Sequence, residues 1–174
     1  MSMTIRDAVA ERDAAACAEI YRPYVDETSI TFEEDAPGAA AMAERIRVAQ
    51  RQHAWLVAER DNRVLGYAYA TTFKERVAYR WSCETSVYLH PDAQGQGIGR
   101  SLYEVLLHRL RDQGFRVALG VITVPNDPSI RLHSSLGFEP VALLPRVGWK
   151  QGAWRDVAFY QLFLGDGSPP DGGS

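Results

Sequence analysis

Cysteine is scarce: only Cys17 and Cys83 occur among 174 residues. Two thiols so far apart make neither a disulfide framework nor a thiolate metal cluster, so a reducing compartment, the cytoplasm, is expected. Charge of one sign is also lacking. Nineteen Lys and Arg against 22 Asp and Glu leave a formal net charge of -3, no electrostatic footprint for nucleic acid. No apolar run reaches the roughly 18 residues that span a bilayer, and no secretion-type apolar segment opens the chain. Nucleic acid, membrane and metal are therefore not expected partners. Any anion site has to be local.

What is present fits an ordinary globule, with 46% hydrophobic and 24% charged residues. The length suits one compact domain over residues 1–164, followed by a Gly-, Ser- and Pro-rich flexible tail at 165–174. Met3–Asp7 reads as a strand. Asp13 is the expected N-cap of a helix over Ala14–Tyr21 that Pro23 kinks or ends. Thr28–Ala36 reads as a loop and Gly38–Arg51 as a second helix. Ala54–Glu59 and Val64–Thr72 are β-rich, with a hairpin turn at Asp61-Asn62-Arg63. Arg80–Leu89 is the next strand and Ser101–Gln113 a long helix ended by Gly114. Arg116–Val124 is apolar throughout, as in a strand buried on both faces, and the crossover between it and Leu89 implies parallel pairing. A short helix over Pro128–Leu136 precedes closing strands at Phe138–Val147 and Val157–Leu164. These turn around Lys150-Gln151-Gly152.

The stretch Gln94-Gly95-Gln96-Gly97-Ile98-Gly99-Arg100 lies between a strand and a helix. Strand, glycine turn and helix N-terminus together aim backbone N–H groups and partial positive charge at a phosphate. The stretch lacks the Lys-Ser/Thr of a P-loop. Alone it is weak evidence, because turns and caps also use glycine.

Several motifs in order resemble the GNAT acyl-CoA-dependent N-acetyltransferases: Gln94-Gly95-Gln96-Gly97-Ile98-Gly99, Asn126-Asp127-Pro128-Ser129, and Leu132-His133-Ser134-Ser135-Leu136-Gly137-Phe138. Tyr79 to Tyr88 and Gly148 to Val157 are similar to the phosphinothricin/methionine-sulfoximine acetyltransferase subgroup. The resemblance covers roughly Thr4 to Leu164. It implies an α/β GNAT fold, a mixed central β-sheet flanked by helices, and acetyl-CoA as cosubstrate. It further implies that Gln94, Gly95, Gln96, Gly97, Ile98, Gly99 and Arg100 meet the coenzyme A pyrophosphate. Val87 and Leu89 would lend backbone groups to the pantetheine arm. Asn126, Ser129 and Ser135 are further cofactor contacts, although Asn126-Asp127-Pro128 also reads as a plain turn and N-cap.

An amine attacks a thioester only as the free base, so the reaction needs a proton acceptor and an oxyanion donor. Glu84, in an otherwise apolar strand, resembles the subgroup's base, and desolvation there would raise its pKa. His133 takes the place of a Tyr found in many relatives and could serve as base or acid. Which of the two accepts the ammonium proton stays open. The Tyr88 N–H or a neighbouring strand N–H is the expected oxyanion donor. For the acceptor, Arg76 resembles a residue that grips acidic groups, with Tyr79, Phe32 and Tyr88 completing the pocket. Trp149, Lys150, Trp154 and Asp156 form either a closing loop, within a homodimer, or a plain hairpin. The expected activity is acetylation, by direct transfer, of the α-amine of a small amino acid or analogue. Acetylation of a polyamine, aminoglycoside or protein N-terminus, and a non-catalytic CoA-binding module, are the alternatives.

Overall fold

In the computed structural model, which describes residues 2–168, seven strands and four α-helices follow one another. The order is β1 (Thr4–Asp7), α1 (Ala10–Glu27), α2 (Ala39–Gln52), β2 (Trp55–Arg60), β3 (Arg63–Thr72), β4 (Ser82–Leu89), α3 (Ile98–Asp112), β5 (Val117–Val124), α4 (Asp127–Ser135), β6 (Glu139–Lys150) and β7 (Ala153–Phe163). All strands join one sheet in the order β1-β2-β3-β4-β5-β7-β6. Only β4 and β5 pair in parallel. The cause is α3, whose crossover returns the chain beside β4 in the same direction.

Both sheet faces are covered, and side-chain alternation sorts the residues between them. From β2, Leu56 and Ala58 pack with Leu102, Tyr103, Leu106 and Leu110 of α3. Trp55 and Val57 pack with Ile20, Tyr21 and Val25 of α1 and Met42 and Ile46 of α2. The first hairpin closes on Asp61 and Asn62, at φ 53° and 62°, the two positive-φ residues of a turn that follows strand twist.

Several element ends depart from expectation for identifiable reasons. Val9, not Asp13, is the N-cap of α1; Asp13 sits in the first turn and accepts the Val9 N–H at 2.7 Å. Pro23 does not end that helix, which runs to Glu27 with Tyr21 and Val25 buried. The apolar contact of that last turn outweighs one missing N–H. Helix α3 begins at Ile98 rather than Ser101, which buries Ile98, with Gly97 as its N-cap. Arg80 and Trp81 stay outside β4, the guanidinium lying 5.2 Å over the indole. Strand β7 starts at Ala153, because Gln151 and Gly152 take positive φ and close the hairpin there.

Strand β6 forms one sheet edge, and Val141, Leu143, Leu144, Val147 and Trp149 are all exposed along it. Of the expected tail, 165–168 form bends outside any strand or helix; residues 169–174 lie outside the described residues. No described helix is long and apolar enough to cross a membrane.

Candidate active site

The site is built where β4 and β5 part. Their pairing runs from Ser82↔Val117 to Thr85↔Gly120 and stops, although β4 continues to Leu89 and β5 to Val124. Trp81 O accepts from Arg116 and Val117 on one side, and the His90 N–H reaches Leu65 O, 2.8 Å away, on the other. Backbone direction alternates along a strand. Val87 and Leu89 therefore turn their N–H and C=O groups to the side where β5 parts from β4. The Tyr88 N–H faces β3 instead, where Tyr67 is its register partner. Of the two expected alternatives for the oxyanion donor, the Tyr88 N–H and a neighbouring strand N–H, the neighbour Val87 is the one turned to the cleft. The Leu89 backbone is not empty-handed: its C=O accepts from the Tyr24 hydroxyl at 2.8 Å. A cavity of about 50 Å³ fills the head of the cleft, lined by Thr85, Val87, Tyr103, Asn126, Ser129 and His133 among others.

Below the cleft mouth lies the glycine turn. Gly95 and Gly97 adopt φ 73° and 77°, and a Cβ on either would meet nothing within 4 Å. Conformation, not space, demands glycine there. Gly97 offers no side-chain cap, so the first-turn N–H groups of α3 point outward without a side-chain partner. A Gly97→Val substitution makes the turn relax, and re-forming it on a ligand costs about 1–3 kcal/mol. The Kd for coenzyme A is expected to rise roughly 5- to 150-fold by calorimetry. An unchanged Kd contradicts the assignment of this turn.

Other expected cofactor contacts are engaged locally. The Arg100 guanidinium bonds Glu104 at 2.8 Å and Ser135 O at 3.4 Å. Ser135 turns its hydroxyl back to Leu132 O and is exposed. Gln96 donates to Asp92 O, and Gln94 donates to the Tyr24 hydroxyl. Asn126 caps α4 by accepting the Ser129 N–H while also lining the cavity.

Glu84 and His133 stand on opposite faces of the sheet. Cys83 and Thr85 point to the α3 face, where Thr85 meets the Tyr103 hydroxyl at 3.1 Å. Glu84 points to the α1–α2 face, the face of Tyr69 and Tyr88. No hydrogen bond or ion pair reaches its carboxylate among the described residues, and burial pushes its pKa up. His133 is buried on the α3 face, and burial lowers its pKa. Its Nδ1 meets Ser129 O at 2.8 Å and its Nε2 the Tyr103 hydroxyl at 2.9 Å. Only glycine at 120 leaves room for the ring, because a Cβ there would sit 2.6 Å from Nε2. Tyr103, Thr85 and Tyr24 were missed by sequence reasoning. In sequence they read as ordinary members of an apolar helix stripe, a strand and a helix.

The expected acceptor residues do not all converge. Arg76 and Lys74 border a separate pocket of about 280 Å³ with His53 and Ser82, and Tyr79 packs edge-on against Phe73. Phe32 lies over Gly148, whose missing side chain admits the ring. The Tyr88 ring packs edge-on against Tyr21 and Tyr24. Within the closing hairpin the Lys150 ammonium is buried and donates to Val25 O at 2.8 Å and Thr31 O at 2.7 Å. It thereby ties the β6–β7 hairpin to the α1–α2 loop. Trp149 and Trp154 pair edge-to-face on the exposed hairpin, and Asp156 accepts the Arg146 N–H.

A mixed sheet whose one parallel pair splays above a glycine turn defines a class of acyl-group transferases, and residues 13–138 match the Acetyltransferase (GNAT) family. The chain belongs to this family. It is 37% identical over 166 residues to the phosphinothricin N-acetyltransferase of Streptomyces viridochromogenes, covering 95% of this chain and 90% of that protein. It is 38% identical to the L-methionine sulfoximine/L-methionine sulfone acetyltransferase of Salmonella typhimurium, covering 97% and 99% of the two chains. The crystal structure of a phosphinothricin acetyltransferase from Sinorhizobium meliloti in complex with AcCoA superimposes with a TM-score of 0.94 at 42% identity. The match covers 99% of this chain and 95% of that one.

Proposed function

We propose that this chain transfers the acetyl group of acetyl-CoA to the α-amine of a small amino acid or analogue of the phosphinothricin or methionine-sulfoximine type. The observation that carries the reading is the unpaired edge of β4 beyond Thr85, leading directly into the glycine turn at the N-terminus of α3. Such an edge binds an extended amide-bearing chain as an added strand would, and the helix terminus suits its phosphates. The thioester supplies an activated acetyl group. Val87 offers the backbone N–H for the carbonyl oxygen, and Asn126 and Ser129 line the same cavity.

Glu84 is the base in this reading, because its carboxylate has no hydrogen-bond or ion-pair partner among the described residues, whereas both ring nitrogens of His133 are engaged. A carboxylate whose pKa is raised by burial is a better proton acceptor near neutrality. Its basic form is the active one, so kcat falls as pH drops through that raised pKa and levels off above it. Stopped-rate assays across pH 4–9 check this; a flat profile contradicts it. Transfer is direct, in a ternary complex. Cys83, the thiol nearest the site, is buried, pushed up to about 12 and turned to Val117 O, a poor nucleophile.

The reading takes residues 1–164 as one acetyltransferase domain acting in the cytoplasm, where free buried thiols such as Cys17 and Cys83 persist. It also takes the working form as a homodimer joined through β6. A 12-residue edge strand with apolar side chains exposed along it is self-complementary about a two-fold axis. Leu143→Lys, placing a charge on that edge, is expected to shift the mass measured by light scattering from dimer to monomer. A monomeric parent protein overturns this part. The activity itself is tested by titrating thiol released from acetyl-CoA with a panel of amino acids, polyamines and aminoglycosides. Release with phosphinothricin or methionine sulfoximine is expected, and no release with any amino-acid analogue overturns the acceptor assignment.

A further inference from the structure

A row of polar groups in contact crosses the α3 face of the cleft. Its members are Ser129 O, the His133 ring, the Tyr103 hydroxyl, the Thr85 hydroxyl and Leu119 O, with successive separations of 2.8, 2.9, 3.1 and 3.3 Å. Thr85, Tyr103 and His133 are 3%, 0% and 4% exposed, so water does not compete for these bonds. All three nonetheless line the cavity at the head of the cleft. Thr85 belongs to the last paired rung of β4 and β5, the point from which the cleft opens.

Proton counting fixes the ring. A carbonyl oxygen only accepts, so Nδ1 must carry the proton that meets Ser129 O. A neutral ring then leaves a lone pair on Nε2, and the single Tyr103 proton has two acceptors in reach, Nε2 at 2.9 Å and the Thr85 hydroxyl oxygen at 3.1 Å; the shorter contact to the better acceptor takes it. Thr85 keeps its own proton for Leu119 O. Both ring nitrogens are thus occupied by the protein, and neither is left to meet a substrate.

We propose that the Tyr103 hydroxyl is the proton-handling group on this face of the cleft, and that His133 is a positioning residue behind it. The attacking nitrogen, already relieved of one proton by Glu84, sheds a second once the C–N bond has formed; that proton arriving on the Tyr103 oxygen is balanced by the hydroxyl's own proton moving to Nε2. The imidazolium so formed donates to Ser129 O and back to the Tyr103 oxygen. Return reverses both moves: Nε2–H refills the tyrosine as its hydroxyl proton passes to the departing thiolate, giving a neutral ring and a thiol. Its kinetic consequence rests on the acetyl-transfer reading; the ring's tautomer does not.

Two measurements on the full chain decide it. Nitrogen-15 NMR of histidine-labelled protein at pH 7 is expected to find His133 neutral with the proton on Nδ1. Tyr103→Phe is expected to shift the Nε2 resonance, and a proton on Nε2, or an unmoved resonance, overturns the proposal. In steady-state kinetics, Tyr103→Phe and His133→Phe are each expected to lower kcat about 10²-fold or more, and the double variant to lose no more than either. A His133→Phe loss far exceeding that of Tyr103→Phe, or losses that multiply, overturns it. Should His133→Phe not fold, His133→Asn keeps a donor for Ser129 O while removing Nε2, and the same loss is expected. If the parent protein acetylates nothing, the reaction reading fails and the tautomer alone decides this one.

Discussion

Glu84→Gln is expected to lower kcat by about 10²–10⁴-fold while leaving the Kd for coenzyme A unchanged. The magnitude is the usual contribution of a positioned general base. The selectivity follows from the sheet. Glu84 projects to the α1–α2 face, whereas Val87 and Leu89 present backbone groups along the strand edge and the glycine turn lies beyond the strand's end. Glutamine keeps the shape and removes only the basic oxygen. Kinetics paired with calorimetry check both halves. A fully active variant refutes Glu84 as base; a variant that loses coenzyme A binding means the residue shapes the cleft rather than the proton transfer.

Arg6→Met is expected to destabilise the fold by about 3 kcal/mol at pH 7, through a carboxylate far from the cleft. Asp13 is 1% exposed and is held by two Arg6 bonds of 2.7 and 2.8 Å. Burial pushes its pKa up, but the Arg6 bonds, the Val9 N–H and the field of Arg6 together hold it below the usual carboxylate range. Arg6 also bonds Glu59, which Arg12 shares. Removing one partner of a buried pair costs about 3–5 kcal/mol. Arg12, 3.9 Å from Asp13, recovers part of it, which places the figure at the lower end. For a domain of this size, the loss is roughly 6–12 °C in Tm.

The pH dependence has a definite sign. A depressed carboxylate pKa stabilises the parent protein above the unfolded value of about 4, and that contribution vanishes as pH falls through the folded value. In the Arg6→Met protein the unpaired Asp13 favours the neutral form, so acid relieves its penalty. The gap in Tm between the two proteins is therefore expected to be widest at pH 7 and to narrow towards pH 4. Equal melting temperatures at pH 7 contradict the pairing argument.

Much of the scaffold is legible in the chain because it rests on local chemistry. Asp61 and Asn62 announce a hairpin, the apolar run of β5 announces a doubly covered strand, and the glycines at 95 and 97 announce a helix start. The N-cap of α1 was misplaced because Asp13 looks like a cap from its neighbours alone. Its partner Arg6 comes from β1 and is shared with Glu59 of β2, an arrangement that only the folded sheet brings together. The site was legible as a list of residues but not as an arrangement. Whether Glu84 and His133 share a face depends on strand pleat and on how α4 docks against Gly120, which no spacing between positions 84 and 133 encodes. The oxyanion donor illustrates the same limit: the sequence leaves Tyr88 and its neighbours as alternatives, and only the strand pairing turns the Tyr88 N–H towards β3. Nothing in the sequence around Lys150 encodes the burial of its ammonium, which follows from the docking of the hairpin on Val25 and Thr31.

The central claim is that the splayed β4–β5 edge and the glycine turn together hold acetyl-CoA, with the acceptor approaching from the Glu84 side. A crystal soaked with coenzyme A tests it most directly. The account predicts diphosphate density against the N–H groups of 97–100 and an amide of the ligand bonded to Val87. Coenzyme A bound elsewhere on the chain, or no binding at millimolar concentration, contradicts it.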